Sequence, residues 1–259
     1  MKNKKLLLLQ NNSNNLNKSI LNKNNEAIPI KFNENIKILK DISEEDIEKY
    51  KQFYLDNDYV VIKNILTTEI IETFNNYIKF TSKLDNIQFN RKHNIDWEGN
   101  NNYLINFFQK KTLDFYKSIT NNNIYSTFSF AMEYNTDCEV LPHLDLIQNE
   151  ISSTICYNSE GDYPLYLSNE FIENNYNNRY SLKNSDSIHS EKICKLDINV
   201  GDIGIFNGRN HLHWRNKLDK NLNYRALLSH YSITKPDSEE WKAKTKDDVP
   251  FKNSIQNIY

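Results

Sequence analysis

The chain has 259 residues, of which 38% are hydrophobic, 12% aromatic and 25% charged, with a formal net charge of −2. That length supports one large domain with a substantial core, and the balance of acids and bases argues against a nucleic-acid partner. Three widely spaced cysteines with no CxxC pair argue against a disulfide framework and for a reducing compartment.

Residues 1–35 are rich in Asn and Lys and read as a flexible leader. The opening MKNKKLLLLQ mimics a secretory signal, but its leucine run is too short and polar residues follow at once. No stretch approaches the roughly 20 apolar residues of a membrane span, so a cytoplasmic protein with no membrane partner is expected. In DISEEDIEKYKQFYLDND (41–58), Ser43 is a plausible N-cap, and Ile47, Tyr50, Phe53 and Tyr54 recur at helical spacing. YVVIKNIL (59–66) is β-branched and reads as a strand. A second helix is predicted over 67–83, capped by Thr67 or Thr68 and burying Ile70, Ile71, Phe74, Tyr77 and Ile78. A third is predicted over 102–120.

After residue 123 the texture changes to short runs rich in Ile, Val, Tyr, Phe and Thr: 124–134, 151–157, 163–167, 192–199, 202–206 and 222–233. Turn-like residues separate them, as in a β-sandwich or barrel. Helices followed by strands, without βαβ alternation, predict a β core buttressed by N-terminal helices. This domain is assigned to residues 36–235, and the charged tail from 236 to 259 is expected on the surface. No internal repeat is present.

Two stretches carry candidate chemistry. In EYNTDCEVLPHLDLIQNE (133–150), His143 and Asp145 are two apart, and on extended backbone both project to one side. An imidazole and a carboxylate so placed supply two-thirds of a 2-His-1-carboxylate face, which holds Fe(II) and leaves positions open. H-x-D alone is weak evidence, since such triplets arise by chance. GDIGIFNGRNHLHWR (201–215) adds three of the five glycines and two of the six histidines. It reads as turn–strand–turn, a way of delivering a histidine into a barrel. His211 and His213 share a strand face, so periodicity does not separate them. Arg225 lies twelve residues past His213 in another β run, where it shares a face with Leu227, Ser229 and Tyr231. A buried arginine there needs an anion, and its fork suits a carboxylate; on the outer face it would be an ordinary surface residue.

The order of these motifs resembles the Fe(II)/2-oxoglutarate-dependent oxygenases, through most of residues 45–233. It includes the spacing of Tyr134, His143, Asp145 and Ser153, and the HWR ending followed by an arginine in a terminal strand. The resemblance implies a mainly β fold with flanking helices (α+β), a double-stranded β-helix or jelly-roll core. It implies Fe(II) on His143, Asp145 and His213, with His211 held in reserve. It also implies 2-oxoglutarate and O2 as cosubstrates, with the distal carboxylate of 2-oxoglutarate on Arg225. Tyr134 matches a position that offers a hydroxyl to that carboxylate, and Thr154 and Cys156 should point inward beside it. Leu227 departs from the usual Arg-x-Ser pattern, leaving Ser229 or Tyr134 to compensate. Asp145 argues against a halogenase, which has a small residue in place of the carboxylate.

The implied activity is hydroxylation of an unactivated C–H bond in a small metabolite or amino-acid-like substrate, with release of succinate and CO2. Desaturation and ring formation are related outcomes, and a protein or peptide side chain is an alternative substrate. The rivals are a cupin-type dioxygenase independent of 2-oxoglutarate, which leaves Arg225 without a task, and a non-catalytic jelly-roll binding protein. His93, His189 and His230 lack matching partners and read as ordinary, and Arg215 reads as part of a framework ion pair or as a partner for a substrate carboxylate. Candidate lids are 88–101, with Trp97, and 168–192, with Tyr176. Nothing in the sequence sets the oligomeric state.

Overall fold

The computed structural model describes residues 18–21, 27–30, 35–81, 95–98, 103–173, 181–186 and 188–245. In chain order the elements are β1 (Lys18–Leu21), β2 (Ala27–Ile30), α1 (Glu44–Asn57), β3 (Tyr59–Ile62), α2 (Thr68–Thr81), β4 (Ile95–Glu98) and α3 (Tyr103–Thr120). There follow β5 (Tyr125–Tyr134), β6 (Val140–His143), β7 (Ile151–Ser159), β8 (Leu165–Phe171), β9 (Ile193–Leu196), β10 (Ile203–Phe206), β11 (His211–Arg215), β12 (Tyr224–Ser232) and α4 (Glu239–Thr245).

The helices begin where side chains satisfy their free N–H groups. Ser43 Oγ accepts from Asp46 N at 3.1 Å, with Glu44, Glu45 and Asp46 in the first turn of α1. Thr67 Oγ1 accepts from Ile70 N at 3.3 Å, which settles the cap of α2. Asp58 ends α1 in the left-handed region (φ 61°), its N–H donating to the Tyr54 carbonyl.

Two antiparallel sheets carry the fold. One has the order β3-β10-β7-β12-β5-β4 and the other β6-β11-β8-β9. From β5 onward the chain crosses repeatedly between the two, giving a jelly roll of eight strands. The strands obey period 2, and the six-stranded sheet is covered on both faces. Ile151, Ile155 and Tyr157 of β7, Ile203 and Ile205 of β10, and Leu227 and Tyr231 of β12 pack with Phe74, Phe108 and Tyr116 of the helices. The intervening Cys156, Phe206, Tyr224 and Ala226 face the other sheet and pack with Tyr134, Tyr163, Leu165 and Leu167. The helices therefore buttress one sheet from outside, while the site lies between the sheets.

Secondary structure also occurs outside residues 36–235. Within the leader, β1 and β2 pair antiparallel. Past residue 235, α4 buries Trp241, and Lys244 binds the buried Glu150 carboxylate and the Thr234 hydroxyl (2.6 Å). This part of the tail packs on the domain because one aromatic and one lysine have partners there, which net charge along the sequence does not reveal. Cys138, Cys156 and Cys194 are free. No helix among the described residues is long and apolar enough to cross a membrane.

Candidate metal centre and anion pocket

His143 ends β6, and Asp145 stands two residues beyond it, its N–H donating to the Gly208 carbonyl at 2.8 Å. His213 lies mid-strand in β11, directly opposite His143 in the antiparallel register. The imidazole centroids are 4.1 Å apart. Asp145 Oδ1 is 3.8 Å from His143 Nε2, and Oδ2 is 3.7 Å from His213 Nε2. All three side chains are buried, and one potential ligand atom from each falls within 4.8 Å of the others.

Backbone carbonyls choose which nitrogen faces inward. Leu141 O lies 2.8 Å from His143 Nδ1, and His211 O lies 3.1 Å from His213 Nδ1. With Nδ1–H donated to a carbonyl, each ring presents a neutral Nε2 lone pair to the centre. Burial alone would raise the Asp145 carboxyl, but the positive charge that His213, His230 and His143 carry when protonated, a charge a bound cation would supply in their place, and the Ser152 hydroxyl outweigh it. Together they hold the group well below the usual carboxylate range, in the charged form a cation requires. Ser152 Oγ donates to Asp145 Oδ2 at 2.5 Å.

The glycines of 201–208 have separate tasks. Gly201 takes φ +91° at the turn into β10. A Cβ on Gly208 would stand 2.2 Å from Asp145 Oδ2 and 2.7 Å from Ser152 Oγ, so only glycine lets that turn close over the carboxylate.

His211 is not part of the centre. Its Nδ1 is 2.8 Å from the Ser168 carbonyl and its Nε2 is 3.1 Å from Asp58 Oδ2, which ties β11 to β8 and to the end of α1.

The centre opens into a cavity of about 430 Å³ between the sheets. Tyr134, Thr154 and Arg215 line it at one end. Arg215 is 2% exposed, with its guanidinium carbon 4.6, 5.0 and 5.5 Å from the ring centroids of Tyr224, Tyr163 and Tyr134. Its Nη1 donates to the Tyr163 carbonyl, while Nη2 has no hydrogen-bond partner. Thr154 Oγ1, 3% exposed, is likewise without one. The nearby thiols carry no charge to offset the guanidinium, since burial pushes Cys138 up to about 12 and Cys156 up to about 11. Among the described residues no carboxylate lies within ion-pair distance of Arg215.

Three expected cosubstrate contacts lie elsewhere. Arg225, Ser229 and Tyr231 do share a face of β12, but it is the face turned away from the cavity. Arg225 pairs with Glu133 through Nη2 (2.8 Å) and Nε (3.2 Å), and Ser229 is buried on the helix side. Period-2 reasoning groups residues by face without saying which face is inside, and β12 is covered on both. Cys156 points inward as expected, though it packs in the inter-sheet core beside Arg215 rather than on the cavity wall. Arg215, read as part of a framework ion pair or as a partner for a substrate carboxylate, lines the cavity, whereas Arg225 does not. His230, read as ordinary, lines the cavity: Ser152 Oγ is 2.9 Å from its Nδ1, which is 3.7 Å from Asp145 Oδ2. The signal that could have found both is the alternation His213-x-Arg215 and the placement of His230 opposite Arg225. Of the expected lids, 88–94, 99–101 and 174–180, with His93 and Tyr176, lie outside the described residues, and Trp97 falls in β4.

This fold is similar to that of solved Fe(II)/2-oxoglutarate-dependent enzymes. No protein-family model matches the chain, and no curated protein matches it in sequence. Solved structures do match in fold. The non-heme alpha-ketoglutarate-dependent epimerase SnoN from nogalamycin biosynthesis superposes with a TM-score of 0.60 at 7% identity, covering 73% of this chain and 84% of its own. HygX from Streptomyces hygroscopicus, solved with nickel, 2-oxoglutarate and hygromycin B, gives 0.55 at 9% identity over 74% and 87%. A 2OG-Fe(II) oxygenase family oxidoreductase from Burkholderia pseudomallei gives 0.51 at 9% identity over 77% and 96%.

Proposed function

We propose that the protein is an Fe(II)- and 2-oxoglutarate-dependent oxygenase that hydroxylates an unactivated C–H bond of a small molecule. The observation that carries this reading is a buried arginine with no anionic partner, in the same cavity as a His-Asp-His cluster. A buried guanidinium without a counter-ion is costly, and a planar fork with a free Nη2 suits a carboxylate. A dicarboxylate cosubstrate supplies that anion. A cupin-type dioxygenase or a binding module has no use for it.

The donor set fits the metal, since two neutral imidazoles and one carboxylate suit Fe(II) and leave coordination positions open. When bound, iron and 2-oxoglutarate together activate O2, and decarboxylation of the cosubstrate to succinate and CO2 supplies the oxidant. The chain's own part is positioning. His143 and His213 would hold the metal through Nε2, while the Leu141 and His211 carbonyls fix their rings. Asp145 is kept ionised and oriented by Ser152 and by the Gly208 carbonyl. Arg215 stands two residues beyond His213 and lines the same cavity, where its guanidinium is available to the far carboxylate of a dicarboxylate. Thr154 Oγ1, unpartnered in that cavity, is available as a further donor. The apolar lining keeps bulk water from the metal positions.

Small-molecule substrates are supported by the structural neighbours, since HygX was solved with hygromycin B and SnoN with nogalamycin RO. The free cysteines accord with a cytoplasmic location.

The test compares two arginines. A charge-assisted contact of about 1.5–3 kcal/mol corresponds to roughly a 10- to 150-fold effect, so Arg215→Ala should weaken 2-oxoglutarate binding by that factor, measured by anaerobic calorimetry on the Fe(II) protein. Arg225→Ala should change it less than twofold. The reverse pattern returns the cosubstrate to Arg225 and removes the basis of this assignment.

A further inference from the structure

The end of the cavity away from Arg215 has a different chemistry. Phe128 and Tyr134 are six residues apart on β5, about 20 Å along an extended strand. Around Phe128 the wall is aromatic. Its ring and that of Phe130 are 5.6 Å apart with planes 11° from parallel. His230 lies 4.5 Å from Phe128 at 30° and 5.8 Å from Phe130 at 22°. Gln109 of α3 fixes this cluster by donating to the Phe128 and His230 carbonyls, at the bulge where β12 slips against β5. Phe128 and Phe130 retain partial exposure while lining the cavity. The cluster also abuts the metal centre through the 3.7 Å separation of His230 Nδ1 and Asp145 Oδ2.

Arg215 is the only Lys or Arg among the described lining residues, and Asp145 the only carboxylate. The proposed function commits both, one to the cosubstrate and one to the metal. The neighbours left for a substrate are Leu146, Leu228 and the neutral amide of Asn149. Among the described lining residues, an amino acid, a sugar acid or a polyamine finds no further Lys, Arg or carboxylate to pair with, and burying its charge unpaired is costly. A flat apolar ring, in contrast, extends an array of near-parallel rings in offset-stacked geometry.

Resting on the proposed oxygenase reading, we infer that the substrate is an uncharged molecule with a planar, apolar ring system, seated on Phe128, Phe130 and His230 beside the metal centre. The test titrates four probes by anaerobic calorimetry into protein loaded with Fe(II) and 2-oxoglutarate. They are 2-naphthol (planar, neutral), 2-decalol (its saturated counterpart), 2-naphthoate (planar, anionic) and L-phenylalanine (zwitterionic). 2-Naphthol should bind most tightly, and Phe128→Leu and Phe130→Leu, which keep an apolar side chain, should each weaken it by roughly 2- to 12-fold. 2-Oxoglutarate binding to both variants should be unchanged, which separates loss of the ring from loss of the fold. Equal or tighter binding of 2-decalol, 2-naphthoate or L-phenylalanine to the wild-type protein overturns the inference, as does unaltered 2-naphthol binding by the Leu variants. If wild-type protein binds 2-oxoglutarate but not 2-naphthol, the inference alone fails. If 2-naphthol binds and 2-oxoglutarate does not, the ring site stands and the cosubstrate assignment fails.

Discussion

His211 and His213 stand two residues apart on β11, both buried, yet their rings have opposite commitments. His213 gives its Nδ1 to a backbone carbonyl and keeps Nε2 for the centre, whereas His211 uses both nitrogens, on Ser168 and Asp58. His213→Ala should therefore lose stoichiometric Fe(II) in an anaerobic titration. His211→Ala should keep the metal and lose roughly 1–3 kcal/mol of stability, the usual cost of a buried polar group left without its partner. Retention of iron by the first variant and loss by the second would move the ligand to His211. Gly208 offers an independent check. Alanine there drives a methyl group into Asp145 and Ser152, so Gly208→Ala should weaken Fe(II) binding at least tenfold while the circular dichroism spectrum is preserved. Wild-type iron affinity in that variant would show that the turn can relax away from the carboxylate.

At the scale of elements, β12 shows what sequence patterning resolves and what it leaves open. The alternation of Arg225, Leu227, Ser229 and Tyr231 against Ala226, Leu228 and His230 is plain in the sequence, and the structure keeps the two sets apart. The inside face is not plain, because apolar residues occur in both sets: helices cover one and the second sheet covers the other. At His143-x-Asp145 the resemblance in motif order, rather than periodicity, pointed to the inside. The structure brings that candidate pair together with His213, while Arg215 and His230 emerged only once the sheets were assembled. Element α4 was missed for a different reason, since five charged and polar residues around one tryptophan and one alanine carry little periodicity. Trp241 is buried, and replacing a buried tryptophan by alanine removes about 3–5 kcal/mol. Chemical denaturation of Trp241→Ala should show that loss. A change below 1 kcal/mol would return residues 236–245 to a surface tail.

Across the whole molecule, the jelly roll divides the work between its faces. Three helices seal the outer face of the six-stranded sheet, leaving its inner face and the smaller sheet to enclose one cavity. Along that cavity lie Arg215, the His143, Asp145 and His213 side chains that could hold a metal ion, and an aromatic wall at Phe128 and Phe130, an order that suits the proposed oxygenase. The most direct test adds 2-oxoglutarate to the anaerobic Fe(II)-loaded protein and follows the visible spectrum. A weak metal-to-ligand charge-transfer band that saturates at one equivalent of cosubstrate, and that Arg215→Ala shifts to higher concentration, is the predicted result. Iron uptake with no such band, or no iron uptake at all, would contradict it.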